Sequence, residues 1–183
     1  MDTAYVALGS NLGNREANLN AALNRISLLP GIKMIRRSSW IETDPVGGPP
    51  QGRFLNGVAK IEIASEVCQR IRQFRPKPGT GEQIPLDDLW SCAEKEAEEL
   101  LAGLQHIEEE LGRPREHHQA DPRVIDLDLL DYGGIGMKTA RLELPHPRMH
   151  ERRFVLEPLA EIEPEWFHPV LAETAEMLLK KLK

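Results

Sequence analysis

The feature that most constrains the fold is a short apolar run that carries paired carboxylates, within Ala-Asp-Pro-Arg-Val-Ile-Asp-Leu-Asp-Leu-Leu of residues 120–130. Its aliphatic residues alternate with polar ones, which predicts a strand, and side chains alternate between the two faces of a strand. Asp126 and Asp128 therefore share one face, while the residues between them face a core. Neighbouring carboxylates repel, so a cation, a donor cluster or open water must compensate them. The pattern is typical of a magnesium site holding substrate phosphates, although an edge strand with a solvated face explains it about as well.

Composition favours one compact soluble domain. The chain has 183 residues, of which 40% are hydrophobic and 28% charged, enough for a full core. The N-terminus lacks a basic lead and a long apolar segment, so we expect a cytoplasmic protein with no membrane partner. The formal charge of −6 argues against a nucleic-acid partner, which requires a basic face. Cys68 and Cys92 lie far apart without metal-ligand spacing, so neither a disulfide framework nor structural zinc is expected.

Hydrophobic periodicity predicts the order strand, helix, strand, strand, helix, strand. The strands fall near residues 3–8, 33–42, 54–63 and 125–130, and the main helices near 14–29 and 87–111. This order is typical of the ferredoxin-like βαββαβ fold, an α+β two-layer sandwich with helices on one face of a mainly antiparallel sheet. A helix over about residues 170–182 belongs to a C-terminal extension. We expect one domain over residues 1–183, with an inserted excursion around residues 75–90 that is rich in Pro and Gly.

Four ordered segments carry a family resemblance. They are the glycine turn at residues 9–13, the Gly- and Pro-rich loop with its following strand at 43–56, the acidic strand at 122–130, and the Pro-His-Pro segment at 144–154. In this order and spacing the chain resembles the 6-hydroxymethyl-7,8-dihydropterin pyrophosphokinases (HPPK) of folate biosynthesis. The resemblance implies transfer of pyrophosphate from ATP to the hydroxymethyl group of the reduced pterin, giving AMP. It implies ATP and a reduced pterin alcohol as partners and two Mg²⁺ ions as cofactors, and leaves open whether other folate-pathway enzymes associate with the chain.

The resemblance assigns side chains to the nucleotide. Asp126 and Asp128 match the carboxylates that hold magnesium against the triphosphate, where the metal neutralises charge and lowers the pKa of the attacking hydroxyl. The matched catalytic arginines are Arg113, Arg115 and Arg123, whose planar guanidinium groups bind phosphate oxygens in pairs. The matched ATP-binding positions are Gln105, Glu108, Leu129, Arg141, His146 and Arg152. Without the resemblance, the arginines would be expected on a solvated loop, and Gln105 and Glu108 on an exposed helix face.

Other matched positions belong to the pterin. Phe54 and Phe154 match the aromatic residues that stack on the two faces of the flat bicycle. Asn56 supplies an amide that is complementary to the amide-like edge of a pterin. The loop positions that line the same pocket are Thr43, Pro45 and Val46. Taken singly, each phenylalanine would be expected in a core.

Departures from the family pattern support an alternative function. Ala120 and Asp121 stand where the family usually has an aromatic residue and then Gly, and Glu116 stands where a basic residue is often found. The aromatic residue helps to seal the pterin site, so we expect looser closure here. These departures and the excursion favour, as the alternative, a catalytically silent relative that binds nucleotide or pterin in a regulatory or assembly role. A two-metal nucleotidyltransferase is a further alternative, but it leaves the phenylalanine pair and Asn56 unexplained.

Overall fold

The computed structural model describes residues 1–73, 86–114 and 121–182. Its main sheet is five-stranded and antiparallel, and consists of β1 (Asp2–Ser10), β2 (Ile32–Arg37), β3 (Ile41–Thr43), β4 (Phe54–Ile63) and β5 (Asp126–Tyr132). The order across the sheet is β2-β4-β1-β5, and the short β3 pairs with the other end of β4. The acidic strand β5 therefore lies next to β1, which carries the glycine turn at its end.

Helices before β5 cover one face of this sheet. They are α1 (Arg15–Ile26), α2 (Val67–Gln73) and α3 (Leu86–Glu110). α1 begins where the Asn14 side chain accepts a hydrogen bond from the amide of Ala17, 3.1 Å away, which satisfies a free donor at the helix end. Apolar residues at helical spacing along α3 pack against the alternate residues of β1, β4 and β5 that face this side, and form the larger core.

The C-terminal part of the chain contributes to both faces. The hairpin of β6 (Met137–Lys138) and β7 (Glu143–Leu144) packs into the larger core. The opposite face is covered by the following segment, which contains a short turn of 3-10 helix at Met149–Glu151, then α4 (Arg153–Ile162), β8 (Phe167–His168), β9 (Glu173–Thr174) and α5 (Ala175–Lys181). α4 and α5 form a second core with Tyr5, Val58 and Leu130. The architecture is α+β, and helices pack on both faces of the sheet rather than on one. β1 is buried on both faces, so each face has apolar surface that must be covered.

The structure also corrects several predicted element boundaries. The strand predicted over residues 33–42 is interrupted at 38–40, where the Ser38 hydroxyl accepts a hydrogen bond from the amide of Val58. The Trp40 ring then lies so close to Gly57 that a Cβ there would be 2.5 Å from it. The terminal helix begins at Ala175, because residues before it form the β8–β9 hairpin. Most of the predicted excursion lies outside the described residues, and its last part, residues 86–90, belongs to α3. No described helix is long and apolar enough to cross a bilayer.

Candidate active site

A cavity of about 900 Å³ lies where β4, β5 and the start of α4 meet the loop after β3. The sheet supplies its floor, since Asn56 and Phe54 on β4 and both aspartates on β5 line it. The predicted site residues that line the cavity are Thr43, Pro45, Val46, Phe54, Asn56, Arg113, Arg123, Asp126, Asp128, His146, Arg152 and Phe154. Segments far apart in the sequence thus bring the predicted nucleotide and pterin residues into one cavity.

The carboxylates of Asp126 and Asp128 both face this cavity. The β1 residues opposite them are Gly9 and Ala7, whose small side chains leave room above the sheet. Burial raises the pKa of Asp126 above its ordinary value, and the charge of Asp128 raises it further, while nearby arginines oppose this rise. Two carboxylates held together against repulsion suit a hard divalent cation. Among the described residues no group of three or more His, Cys, Asp or Glu side chains gathers around such an ion, so substrate and water oxygens would complete its ligands.

Glu108 lies buried beneath the acidic strand, with only 7% of its surface exposed. Its Oε1 accepts a hydrogen bond of 2.6 Å from the Leu127 amide and also pairs with Arg113. Arg113 in turn reaches Asp126, with 2.6 Å between Nη1 and Oδ1. Burial raises the pKa of Glu108 to about 7, although Arg113 and the Leu127 amide oppose this shift. Glu108 therefore anchors both β5 and Arg113, and it does not lie on the exposed helix face that would be expected without the family resemblance.

Each aspartate is paired with an arginine, which in turn lies over an aromatic ring. Arg123 Nη2 lies 3.0 Å from Asp126 Oδ2, and its guanidinium carbon lies 5.5 Å from the centroid of the Phe54 ring. Arg152 Nη1 lies 3.4 Å from Asp128 Oδ2, and its guanidinium carbon lies 5.7 Å from the Phe154 ring. Cation–π contacts of this kind orient an arginine without consuming its hydrogen-bond donors. A carboxylate, a guanidinium group and an aromatic ring are thus adjacent on both sides of the cavity.

The predicted pterin residues surround Asn56, which is 6% exposed. Its Nδ2 donates a hydrogen bond of 2.8 Å to the hydroxyl of Thr43 on the paired strand β3. Its Oδ1 lies over Gly9, where an added Cβ would be 2.9 Å away. Phe54 and Phe154 are half-buried and line the cavity rather than either core centre. Gly9 is a residue that the sequence reasoning did not assign to the site, although the glycine turn pointed to it.

Three further predicted nucleotide residues, Gln105, Leu129 and Arg141, lie outside the cavity lining. Gln105 and Arg141 are exposed, and the Leu129 side chain is buried in the larger core, so only its backbone is left for the predicted adenine contact. His146 lines the cavity, and burial lowers its pKa, although the charge of Asp128 opposes the shift. Arg115 lies outside the described residues, as do Glu116 and Ala120. Roles for these residues remain predictions.

The cavity has further lining residues that sequence reasoning missed, namely Ile41, Asp44, Gly47, Gln51, Arg148, Glu151, Arg153 and Glu157. Asp44, Gly47 and Gln51 belong to the loop that its Gly and Pro content marks as a binding loop. The signal for Arg153 and Glu157 was their spacing of four residues, which places both on one side of α4, and their Nε and Oε2 atoms are 3.1 Å apart.

Comparison with known proteins identifies the family. The family model for 7,8-dihydro-6-hydroxymethylpterin-pyrophosphokinase (HPPK) matches residues 5–76 and 90–164. The chain belongs to the HPPK family. The HPPK match omits residues 77–89, which fall within the predicted excursion.

Relatives support the same assignment. The 2-amino-4-hydroxy-6-hydroxymethyldihydropteridine pyrophosphokinase of Synechocystis is 35% identical over 179 residues, covering 98% of this chain and 75% of the relative. The protein of that name from Bacillus subtilis is 39% identical over 159 residues, covering 87% of this chain and 77% of the relative. A wild-type Plasmodium falciparum HPPK-DHPS structure superposes with a TM-score of 0.59 at 14% identity, which shows a shared fold. The match covers 98% of this chain and 44% of that longer one.

Proposed function

We propose that this protein is an active HPPK, which transfers pyrophosphate from ATP to the hydroxymethyl oxygen of 6-hydroxymethyl-7,8-dihydropterin and releases AMP in folate biosynthesis. The observation that carries the proposal is the single cavity. It holds paired carboxylates and arginines beside aromatic rings and an amide suited to a pterin. A nucleotidyltransferase would need the carboxylates but has no use for Phe54, Asn56 and Phe154 together. ATP and the reduced pterin alcohol are the proposed partners.

We propose that Asp126 and Asp128 hold magnesium together with the triphosphate, and that two ions bind. When bound, the metal neutralises charge on the phosphate oxygens and lowers the pKa of the pterin hydroxyl. The shared cavity face of the carboxylates and the small residues opposite them support this assignment. The elevated pKa of Asp126 supports it as well, because a divalent cation would relieve the repulsion that contributes to it.

The arginines stabilise the transferred group. The pterin oxygen attacks the β-phosphorus of ATP, the bond from that phosphorus to the oxygen bridging to the α-phosphorus breaks, and AMP leaves with the bridging oxygen and its electron pair. Negative charge moves from the attacking to the bridging oxygen, so fixed cations aligned with that path lower the barrier. Arg113 and Arg123 both contact Asp126, and this proximity to a proposed metal ligand supports their assignment. Arg115 is proposed to assist them.

The pterin occupies the other end of the cavity. Phe54 and Phe154 are proposed to stack on its ring, and each offset stack contributes about 0.5–1.5 kcal/mol beyond burial. Asn56 is oriented by its hydrogen bond to Thr43, so that its remaining amide donor and acceptor can hydrogen-bond with the polar edge of the pterin ring. Pro45 and Val46 are proposed to close over this end, since Val46 is 71% exposed in the cavity mouth.

Nucleotide contacts complete the proposed site. His146 and Arg152 line the cavity beside Asp128 and are proposed to contact ATP. Gln105, Leu129 and Arg141 are proposed as further ATP-binding residues on the family resemblance alone. Glu108 was matched to ATP as well, but its buried contacts support a role in holding Arg113 and β5.

We also propose that the fold is ferredoxin-like. The strand order, the antiparallel pairing of all neighbours, and the passage of α1 and α3 over one face support this class. The C-terminal extension then supplies the helices on the second face. One domain over residues 1–183, with an insertion around residues 75–90, is supported by the sheet that both cores share and by the gap in the family match. Action in the cytoplasm and the absence of a nucleic-acid partner remain predictions.

The function can be tested with purified protein, ATP, Mg²⁺ and 6-hydroxymethyl-7,8-dihydropterin. AMP should appear in step with the pterin pyrophosphate. Asp126→Ala and Asp128→Ala should each abolish turnover with the fold retained, while Asp88→Ala, which removes an exposed carboxylate from the start of α3, should leave turnover unchanged. Release of pyrophosphate would indicate a nucleotidyltransferase. Binding of both ligands without AMP would indicate the silent relative.

A further inference from the structure

We propose that Asn11 is a positioning residue that couples the pterin site to the phosphate site. It lies in the glycine turn after β1, between the segment that carries Arg123 and the loop of residues 44–53, which we name the pterin loop. The inference deepens the proposed function and rests on it. Asn11 does not line the cavity, so any effect on the reaction must pass through the segments that it holds.

Asn11 holds the Arg123 segment through its backbone and its side-chain oxygen. The Asn11 amide donates to the Arg123 carbonyl at 3.1 Å, and the Arg123 amide donates to Asn11 Oδ1 at 2.7 Å. This reciprocal pair fixes the backbone of the residue whose guanidinium reaches Asp126 and lies over Phe54. A shift of the turn would therefore move a phosphate-binding group directly.

The other end of the same amide holds the pterin loop. Asn11 Nδ2 donates to Gln51 Oε1 at 2.7 Å and to the Gly52 carbonyl at 3.2 Å. Gln51 lines the cavity, and Phe54 follows two residues after Gly52. Asn11 is only 7% exposed, so water cannot easily replace a lost partner. The Asn11 side chain thus accepts a hydrogen bond from the Arg123 segment and donates hydrogen bonds to the pterin loop. Neither segment can move without straining the bonds that Asn11 makes to the other.

A neighbouring side chain fastens the pterin-loop side alone, and so provides a matched control. Arg15 Nη1 donates to the Arg53 carbonyl at 2.8 Å, which anchors the pterin loop to α1. Asn18 does not serve this purpose, because its Nδ2 donates to the Ser10 hydroxyl at 3.3 Å and the Leu12 carbonyl at 2.9 Å, on either side of Asn11, as well as to the Val124 carbonyl at 3.2 Å. Substituting Arg15 loosens the pterin loop and leaves the Asn11 bridge between the two segments in place.

The bridge predicts a measurable linkage. A triphosphate that engages Arg123 orders its segment, and Asn11 passes that order to the pterin loop, so bound nucleotide should tighten pterin binding. Linkage is reciprocal, so bound pterin should tighten nucleotide binding by the same factor. Both effects, of nucleotide on pterin binding and of pterin on nucleotide binding, can be measured at equilibrium without turnover.

The test is isothermal titration calorimetry of 6-hydroxymethyl-7,8-dihydropterin with and without Mg²⁺ and saturating α,β-methylene ATP, which lacks the bond that the reaction breaks. The ratio of the two Kd values is the coupling factor. Loss of a hydrogen bond changes such a ratio by about fivefold, so Asn11→Ala should lower it by that amount or more, towards unity. Gln51→Ala, which removes one partner on the loop side, should lower it in the same direction. Arg15→Ala should change individual Kd values but keep the wild-type factor.

Several results would overturn the proposal. These are a wild-type coupling factor of unity, an unchanged factor in Asn11→Ala, or an equal reduction in Arg15→Ala. If circular dichroism shows that Asn11→Ala does not fold, the coupling factor of Gln51→Ala is the deciding measurement. An unchanged coupling factor in Gln51→Ala then overturns the proposal. Wild-type AMP release is measured separately. Absent turnover with intact coupling would refute the proposed function and leave the role of Asn11 standing.

Discussion

Substitution of Glu108 by alanine should destabilise the protein and slow catalysis together. The change leaves the buried Leu127 amide without its acceptor and removes one of the two carboxylates that, among the described residues, hold Arg113, whose side chain is 12% exposed. An unsatisfied buried donor costs about 1–3 kcal/mol, and removal of one partner from a buried ion pair costs about 3–5 kcal/mol. Because Arg113 keeps Asp126, we expect a total loss of about 3–4 kcal/mol in the free energy of unfolding. Glu108→Gln keeps an acceptor for Leu127 and should lose about 1–2 kcal/mol.

Urea denaturation and steady-state kinetics on the same preparations measure both effects. A misplaced Arg113 should lower kcat more than it raises the KM for ATP, because its charge matters most when the phosphate is transferred. Glu110→Ala is the matched control on the same helix. Glu110 pairs with Arg25, and both side chains are 41% exposed, so its loss should change stability by less than about 0.5 kcal/mol.

One result would refute this account of Glu108. If Glu108→Ala raises the KM for ATP while the free energy of unfolding stays within about 0.5 kcal/mol of wild type, the residue contacts nucleotide and does not support β5.

Further predictions concern burial and close packing. Burial raises the pKa of Asp131 from 3.8 to about 7, so the folded state binds this proton more tightly, and stability should fall as pH rises across that interval. The urea midpoint of Asp131→Asn should therefore fall less steeply over that interval than that of wild type, and parallel curves would contradict this. Gly9→Ala should displace Asn56 and raise the KM for the pterin about tenfold or more with the KM for ATP little changed, since a Cβ there would lie 2.9 Å from the amide oxygen; an unchanged pterin KM would show that the amide is not needed. Gly103→Ala on α3 should stabilise the helix by up to about 1 kcal/mol, because the nearest atoms belong to the flexible Leu29 side chain at 3.4 Å. A lower melting temperature than wild type in thermal unfolding would contradict this prediction.

Much of the fold follows from local patterns. β4 spans the predicted residues, and the strand carrying Asp126 and Asp128 presents both carboxylates to one side because side chains alternate along any strand. Most of the candidate site came from motif resemblance rather than from periodicity. Phe54 and Phe154 illustrate this, since each alone would have been expected in a core. The family resemblance identified the site positions in the sequence, and the tertiary structure brings most of them together around one cavity.

Other features depended on contacts between residues far apart in the chain. Helical spacing alone would put Glu108 on a solvated face, yet the packing of α3 against the sheet buries it under β5. Asn11 forms hydrogen bonds with partners 40 and 112 positions away, and no local sequence pattern indicates such long-range contacts. The sequence predicted a terminal helix over about residues 170–182, but the packing of α4 and α5 on the second face of the sheet was missed for the same reason. Periodicity in the sequence determines which side of an element is apolar, whereas the identity of the opposing surface is decided only when the whole chain packs.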